Sequence, residues 1–199
     1  MTTPLKKPKF FQMVRYIILL FVKKTQRIEI KSIPEKSVID IGGGGEGIIA
    51  RIGKERITAV DKYQSEIDEA KPKAPEAKWI VADARNLDFP EEYFDNATAF
   101  FSLMYMSNED KKDVIKEVSR VLKTGGEFWV WDTSIKKAEG VFLIKIKVIL
   151  PDNNIVKTAY GVSSKQQTLV DIKRMLENTG FKVEIIEDKK KWYFLKAIK

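Results

Sequence analysis

The chain has 199 residues, 44% hydrophobic and 32% charged, with 36 Lys+Arg against 28 Asp+Glu, a formal net charge of +8, and neither Cys nor His. That length suits one domain with an added lobe, and the apolar fraction excludes a disordered chain. Without Cys or His there is no disulfide framework, thiolate nucleophile, iron–sulfur cluster, thiolate zinc site or imidazole base, so chemistry falls to carboxylates, hydroxyls, amines, backbone or a borrowed cofactor.

Residues 1–36 read as an N-terminal helical appendage. Phe10, Phe11, Met13, Val14 and the run Tyr16-Ile17-Ile18-Leu19-Leu20-Phe21-Val22 form a helical segment bracketed by Lys6, Lys7, Lys9 and by Lys23, Lys24. It is too short to span a bilayer, and no small-residue cleavage pattern follows it. It reads as a helix docked on the body or covering a site. The alternative is peripheral membrane contact through residues 5–24, with the apolar side in lipid and the lysines at anionic headgroups.

From Ser37 strand and helix signals alternate, the mark of a parallel sheet with crossover helices. The spacing predicts strands at 37–41, 56–60, 79–82 and 96–101, with helices beginning at 46–53 and at 65–70. Residues 108–122 form an amphipathic helix with Val114, Ile115, Val118, Val121 and Leu122 on one stripe. Thr124-Gly125-Gly126 is expected to stop that helix before a fifth strand at 127–132. The alternation then breaks: 141–150 and 155–162 read as a hairpin around Pro151-Asp152-Asn153-Asn154. Ser163 or Ser164, with Gln166 or Gln167 three residues on, resembles a helix-start box for a helix ending at Asn178 before Gly180. Residues 182–187 and 192–198 are expected as an antiparallel pair. Residues 37–199 thus read as one domain with a hairpin inserted at about 141–162.

The informative segment is Val38-Ile39-Asp40-Ile41-Gly42-Gly43-Gly44-Gly45-Glu46-Gly47. Glycines after a buried strand permit a tight turn and let a ligand approach the backbone. Gly42, Gly44 and Gly47 match G-x-G-x-x-G, a pattern that also fits a dinucleotide site or a structural turn. Asp40 separates the cofactors: a pyrophosphate over this loop would be repelled by a carboxylate two residues before the first glycine, whereas the sulfonium and α-amino group of S-adenosylmethionine would be favoured. Asp61, about 20 residues beyond Asp40 at the end of the second strand, stands where a carboxylate takes ribose hydroxyls. Asp83 ends the third strand, where its side chain and the N–H of Ala84 suit an adenine edge. Each acid has a second reading as a loop cap, but ligands of open α/β sheets collect at this carboxyl edge.

On these residues the sequence resembles the class I S-adenosylmethionine-dependent methyltransferases. The matching pieces are Val38-Ile39-Asp40-Ile41-Gly42-Gly43-Gly44, Ala59-Val60-Asp61, Ala82-Asp83-Ala84-Arg85-Asn86-Leu87-Asp88-Phe89, Tyr93-Phe94-Asp95, Glu117-Val118-Ser119-Arg120-Val121-Leu122-Lys123-Thr124-Gly125-Gly126 and Met175-Leu176-Glu177-Asn178-Thr179-Gly180-Phe181. The resemblance implies a Rossmann-like α/β fold, three-layer αβα, with a mostly parallel seven-stranded sheet and an antiparallel last strand. It implies that Asp40 and Gly42, Gly43, Gly44 and Gly45 hold the methionine part of S-adenosylmethionine, that Asp61 holds the ribose, that Asp83 and Ala84 hold the adenine, and that Phe100 and Phe101 lie beside the methionine amino group; Lys62, next to Asp61, is read with them as cofactor-binding. Two departures stand out: Glu46 occupies the place of the usual third loop glycine, and Leu103-Met104-Tyr105-Met106 stands where the family often shows histidines.

Methyl transfer from a sulfonium is an in-line displacement, so alignment and exclusion of water carry most of the catalysis and a general base is optional for amines and acidic phenols. Tyr105 is the one weak catalytic candidate, with a packing aromatic as the blander reading. No metal site is read. Lack of Cys removes pyrimidine carbon methylation through a thiol adduct. Absence of the family's Asn/Asp-Pro-Pro-aromatic motif lowers adenine and glutamine amide methylation. A small, apolar acceptor bounded by the N-terminal helix and the hairpin is favoured. The alternatives are a methyltransferase of RNA or other nucleic acid, using the lysine excess on phosphates, and a non-catalytic S-adenosylmethionine-binding module. A nicotinamide oxidoreductase ranks last because of Asp40. The expected location is cytoplasmic, with the membrane-peripheral variant tied to residues 5–24.

Overall fold

The computed structural model describes residues 24–136, 140–163 and 165–199. The helix expected at 5–24 falls, but for Lys24, outside the described residues, as does Ser164.

Residues Val38–Ile41 (β2) are buried along their whole length, as a central strand covered on both faces requires. Beside them run Ile57–Asp61 (β3), Lys78–Val81 (β4), Phe94–Phe100 (β5) and Leu122–Thr133 (β6), all parallel. The last strand, Trp192–Ile198 (β10), inserts antiparallel between β6 and Lys182–Asp188 (β9). The sheet order is β4-β3-β2-β5-β6-β10-β9. Only β10 runs against the rest, which is the seven-stranded Rossmann-like sheet expected.

One face is covered by two helices. Asn108–Val121 (α3) starts at Ser107, whose hydroxyl accepts the N–H of Asp110 at 3.0 Å while the Asp110 carboxylate accepts the Ser107 N–H at 3.3 Å. It buries Val114, Ile115, Val118 and Val121, one stripe of a 3.6-residue period. Leu169–Asn178 (α4) buries Leu169, Ile172 and Leu176 beside it. Its capping pair is Thr168 with Asp171 rather than Ser163 or Ser164 with Gln166 or Gln167. Gln167 cannot enter the helix, because its backbone is committed to an antiparallel bridge with Ile135.

The opposite face is built differently. Ile48–Gly53 (α1) covers part of it, and the remainder lies under a second, three-stranded sheet of Gln26–Glu29 (β1), Val141–Ile149 (β7) and Ile155–Ser163 (β8), ordered β1-β7-β8. The hairpin β7–β8 is antiparallel from Val141↔Ser163 to Ile149↔Ile155, and β1 adds parallel to β7. Ile28, Ile144, Ile146, Val148 and Val156 pack from this sheet into one core with Trp129, Trp131 and Phe194 of the main sheet. The helix Gln64–Ala70 (α2) links β3 to β4.

The glycines at 125–126 do not stop α3. The chain passes at Leu122 directly into β6, and Gly125, at φ 78°, turns it inside the strand where the β5–β6 register shifts.

Candidate active site

The chain leaves β2 for β3 and β4 on one side and returns to β5 on the other, so β2 and β5 flank the switch point at which open α/β sheets hold ligands. The expected residues gather there, at the carboxyl ends of β2 to β5. The glycine loop is folded back onto its neighbours: the N–H groups of Gly42 and Gly43 donate to the Val60 carbonyl at 2.9 and 3.1 Å, and that of Gly45 to the Glu66 carbonyl at 2.9 Å. Gly42 has a φ of 67°, the left-handed region that disfavours a side chain. At Gly44 a β-carbon would stand 2.5 Å from Glu66 Cβ and 2.7 Å from Asp61 Oδ2, so the loop can approach these acids only without one. Glu46 turns into ion pairs with Lys73 (3.2 Å) and Arg51 (4.0 Å), which accounts for a charged residue where a glycine was expected.

Asp40 is 1% exposed and accepts a hydrogen bond from Thr98 Oγ1 at 2.8 Å. Burial pushes its carboxyl from the ordinary 3.8 up to about 7; the Thr98 bond opposes the shift and the charge of Asp61 adds to it. Asp61 accepts the Gly44 N–H at 3.2 Å on Oδ2 and the Tyr63 N–H at 3.0 Å on Oδ1, so the backbone fixes its orientation at the mouth. Glu66 stands close by, its carboxyl raised by burial and by Asp61.

Asp83 is arranged otherwise. Arg85 donates to it from Nε at 2.9 Å and Nη2 at 2.6 Å, Lys62 Nζ sits 3.1 Å away, and these cations hold its carboxyl far below the usual range, the arginine first. Lys62 is therefore spent on Asp83, and Arg85 continues to Asp110. Ala84 is partly buried against the α3–α4 core.

Phe100 ends β5 and Phe101 follows it, both buried. Phe101 takes a φ of 53°, a costly conformation for a bulky residue, and its N–H donates to the Trp131 carbonyl at 2.8 Å. Its ring lies 5.0 Å from Phe100 and is stacked on Tyr160 of β8 at 5.1 Å and 10°. Ser102 then bonds the Ile41 carbonyl through its hydroxyl at 2.6 Å, tying the end of β5 to the end of β2. Tyr105, 47% exposed, closes the 3-10 turn Leu103–Tyr105, its carbonyl accepting from Lys165 Nζ. The buried carboxylate of Asp132, pushed up to about 6 by burial, accepts the Met104 N–H at 3.1 Å and so anchors this turn.

Thr98, Tyr160 and Asp132 were not singled out from sequence. Thr98 becomes visible only through the β2–β5 register, which places it opposite Asp40. Tyr160 comes from the hairpin, and burial raises its phenol while the charges of Glu46, Asp40 and Asp132 add to the shift, so it stays a protonated donor. Among the described residues no cluster of three or more acids could hold a metal ion.

A family model described as a methyltransferase domain matches residues 39–130. The chain is 34% identical over 100 residues to the chloroplastic 2-methyl-6-phytyl-1,4-hydroquinone methyltransferase of Arabidopsis thaliana, an alignment covering 47% of this chain and 29% of that protein. It thus spans less than a third of that relative's length. It is 27% identical over 187 residues to the ubiquinone/menaquinone biosynthesis C-methyltransferase UbiE of Paraburkholderia phymatum, covering 82% of this chain and 72% of that one. In fold, an S-adenosylmethionine-dependent methyltransferase from Mesorhizobium loti superposes with a TM-score of 0.60 at 17% identity, over 84% of this chain and 94% of that one.

Proposed function

We propose that the chain is a class I S-adenosylmethionine-dependent methyltransferase that transfers a methyl group to a small apolar acceptor carrying an acidic hydroxyl, of the hydroquinone kind. The observation that carries this reading is the meeting of two unlike surfaces: carboxylates from β2, β3 and β4 on one side, and the rings of Phe100, Phe101 and Tyr160 on the other. The relatives' names, one a methyltransferase of a phytyl hydroquinone and another of ubiquinone/menaquinone biosynthesis, support the acceptor class.

S-adenosylmethionine supplies an activated methyl on a cationic sulfur. Asp40 and the loop 42–45 would face its methionine part, Asp61 its ribose, and Asp83 with Ala84 its adenine. Asp61 arrives already oriented by two backbone N–H groups, so little ordering remains to be done on binding. Negative charge from Asp40 and Asp61 favours the cationic cofactor over its neutral product, which assists release of S-adenosylhomocysteine. The aromatic wall excludes water and lines up the acceptor ring, the alignment an in-line displacement needs. A phenol ionises far more readily than an ordinary alcohol, so the lack of His and Cys does not block the reaction. Tyr160, kept protonated, would donate to the acceptor oxygen and orient it.

The test is incubation of the full chain with methyl-labelled S-adenosylmethionine and separate fractions of apolar metabolites, polar metabolites, RNA and protein. Label in the apolar fraction, reduced in Tyr160→Phe with cofactor affinity kept, is the expected result. Label confined to RNA, or no label with cofactor bound, would reject the acceptor assignment.

A further inference from the structure

The small sheet β1-β7-β8 has two unlike faces. Ile28, Ile144, Ile146, Val148 and Val156 turn toward the core, and the alternate residues of each strand turn the other way. On that outer face the register sets Arg27 opposite Lys147 and Lys147 opposite Lys157, a row of three cations straight across the sheet. Lys145 lies on the same face, two residues along β7. In the three strands the only acidic residue is Glu29, and it is paired with Arg27 at 3.0 Å. Among the described residues none of Lys145, Lys147 and Lys157 has an ion-pair partner. Lys157 is exposed and Lys145 and Lys147 are partly so.

Like charges placed directly opposite across strands destabilise a sheet. One lysine on the edge strand β8 is enough to discourage strand addition; it does not explain cations in register on β1 and on the central strand β7. The remaining side chains of this face are aliphatic or small; Leu143, toward the start of β7, is 1% exposed, so the open part of the face is the end around the row, where Ile155 is 51% exposed. No aromatic ring is among them, so the face lacks the stacking platforms that single-stranded nucleic acid needs. The chain reaches β1 from residues 1–23, outside the described residues, where the sequence carries the apolar run Tyr16 to Val22 between two lysine groups.

We infer that the outer face of β1-β7-β8 docks on an anionic lipid bilayer, with Lys145, Lys147 and Lys157 meeting the headgroups. Neighbouring strands about 4.8 Å apart present these lysines on one shallow surface, within about one Debye length of a membrane on which they rest. Docking would bring an apolar acceptor within reach without passage through water. It does not depend on the methyl-transfer reading and is measured apart from it.

The test is sedimentation of the full chain with vesicles of phosphatidylcholine plus phosphatidylglycerol and with vesicles of phosphatidylcholine alone, for the wild type and for Lys147→Gln/Lys157→Gln. Both proteins keep the N-terminal lysines, so the difference reads the sheet face. Each lysine near an anionic surface contributes about fivefold in affinity, and the double variant is expected to bind roughly 25-fold more weakly, with unchanged circular dichroism and unchanged S-adenosylmethionine affinity. Wild-type binding should require phosphatidylglycerol and weaken with salt. The inference is overturned if the wild type ignores the anionic vesicles, if the double variant binds them as tightly as the wild type, or if the variant loses polyuridylate binding while keeping the vesicles.

Discussion

The half of the main sheet formed by β2, β3 and β4 ends in carboxylates held by hydrogen bonds, whereas the half formed by β5, β6 and β10 carries rings: Phe100, Trp129, Trp131 and Phe194, roofed by the three-stranded sheet. In the first half, position comes from loops a few residues long, and a ligand's charge is what the arrangement lacks. In the second, position comes from stacking between segments distant in sequence, such as Phe101 on Tyr160 and Trp131 on Phe194. Under the function proposed above, the difference would separate two tasks, cofactor binding on the acidic side and enclosure of an acceptor on the aromatic side. Substitutions in one half should leave the other's property intact.

The largest effect is expected on the aromatic side. Trp131 is 3% exposed and stacked on Phe194 at 4.1 Å and 7°, so Trp131→Ala should lower unfolding stability by roughly 3–5 kcal/mol in chemical denaturation. The protein that remains folded should bind S-adenosylmethionine as before. A parallel loss of cofactor affinity in that fraction would merge the two halves.

On the acidic side, Asp61→Ala removes the acceptor of the Gly44 and Tyr63 N–H groups together with the charge proposed to face the ribose. Calorimetry should show cofactor binding weakened by about 1.5–3 kcal/mol. Asp83→Ala is expected at the lower end, because Lys62 and Arg85 already balance its charge.

The pH dependence follows from Asp40. With its carboxyl at about 7 in the native state against an ordinary 3.8, the native state holds more protons than the unfolded one between those values. The stability this contributes is present below about pH 4 and lost as pH rises through about 7. A cationic ligand favours the ionised form, so S-adenosylmethionine binding should tighten as pH rises toward 7, by at most about tenfold per unit, with release of a proton. Titration in two buffers of different ionisation enthalpy reads that proton, and Asp40→Asn should abolish it. Asp132, at about 6, adds to the stability trend but faces the Met104 turn rather than the loop.

The smallest effect concerns the seam between the halves. Tyr160→Leu removes one ring of the Phe101 stack and should cost about 0.5–1.5 kcal/mol of stability beyond the lost area. Cofactor affinity should not change; if it falls, Tyr160 belongs to the acidic side.

What could be read from sequence divides along the same line. Asp40, Asp61 and Asp83 were legible because each lies within, at the end of or just after a short apolar strand, so local order fixes their place near the sheet's edge. The α3 stripe was legible for the same local reason. The Thr98 bond to Asp40 was not, since it depends on which residues of β2 and β5 face each other across 58 positions of chain. Strand β1 escaped notice because four residues alternating with Arg27 and Glu29 carry little signal until β7 pairs with them. The helix-start box was misplaced because two Ser/Gln pairs satisfy the same spacing that Thr168 and Asp171 satisfy in the fold. The roof over the aromatic half rests on contacts such as Phe101 with Tyr160, which no local pattern announces.

The central claim is that these strand ends are charged to receive a cation rather than a pyrophosphate. Calorimetric titration of the full chain with S-adenosylmethionine and, separately, with NAD tests it most directly. The account predicts saturable binding of S-adenosylmethionine, weakened in Asp61→Ala, and no binding of NAD; saturable NAD binding in a protein that ignores S-adenosylmethionine would contradict it.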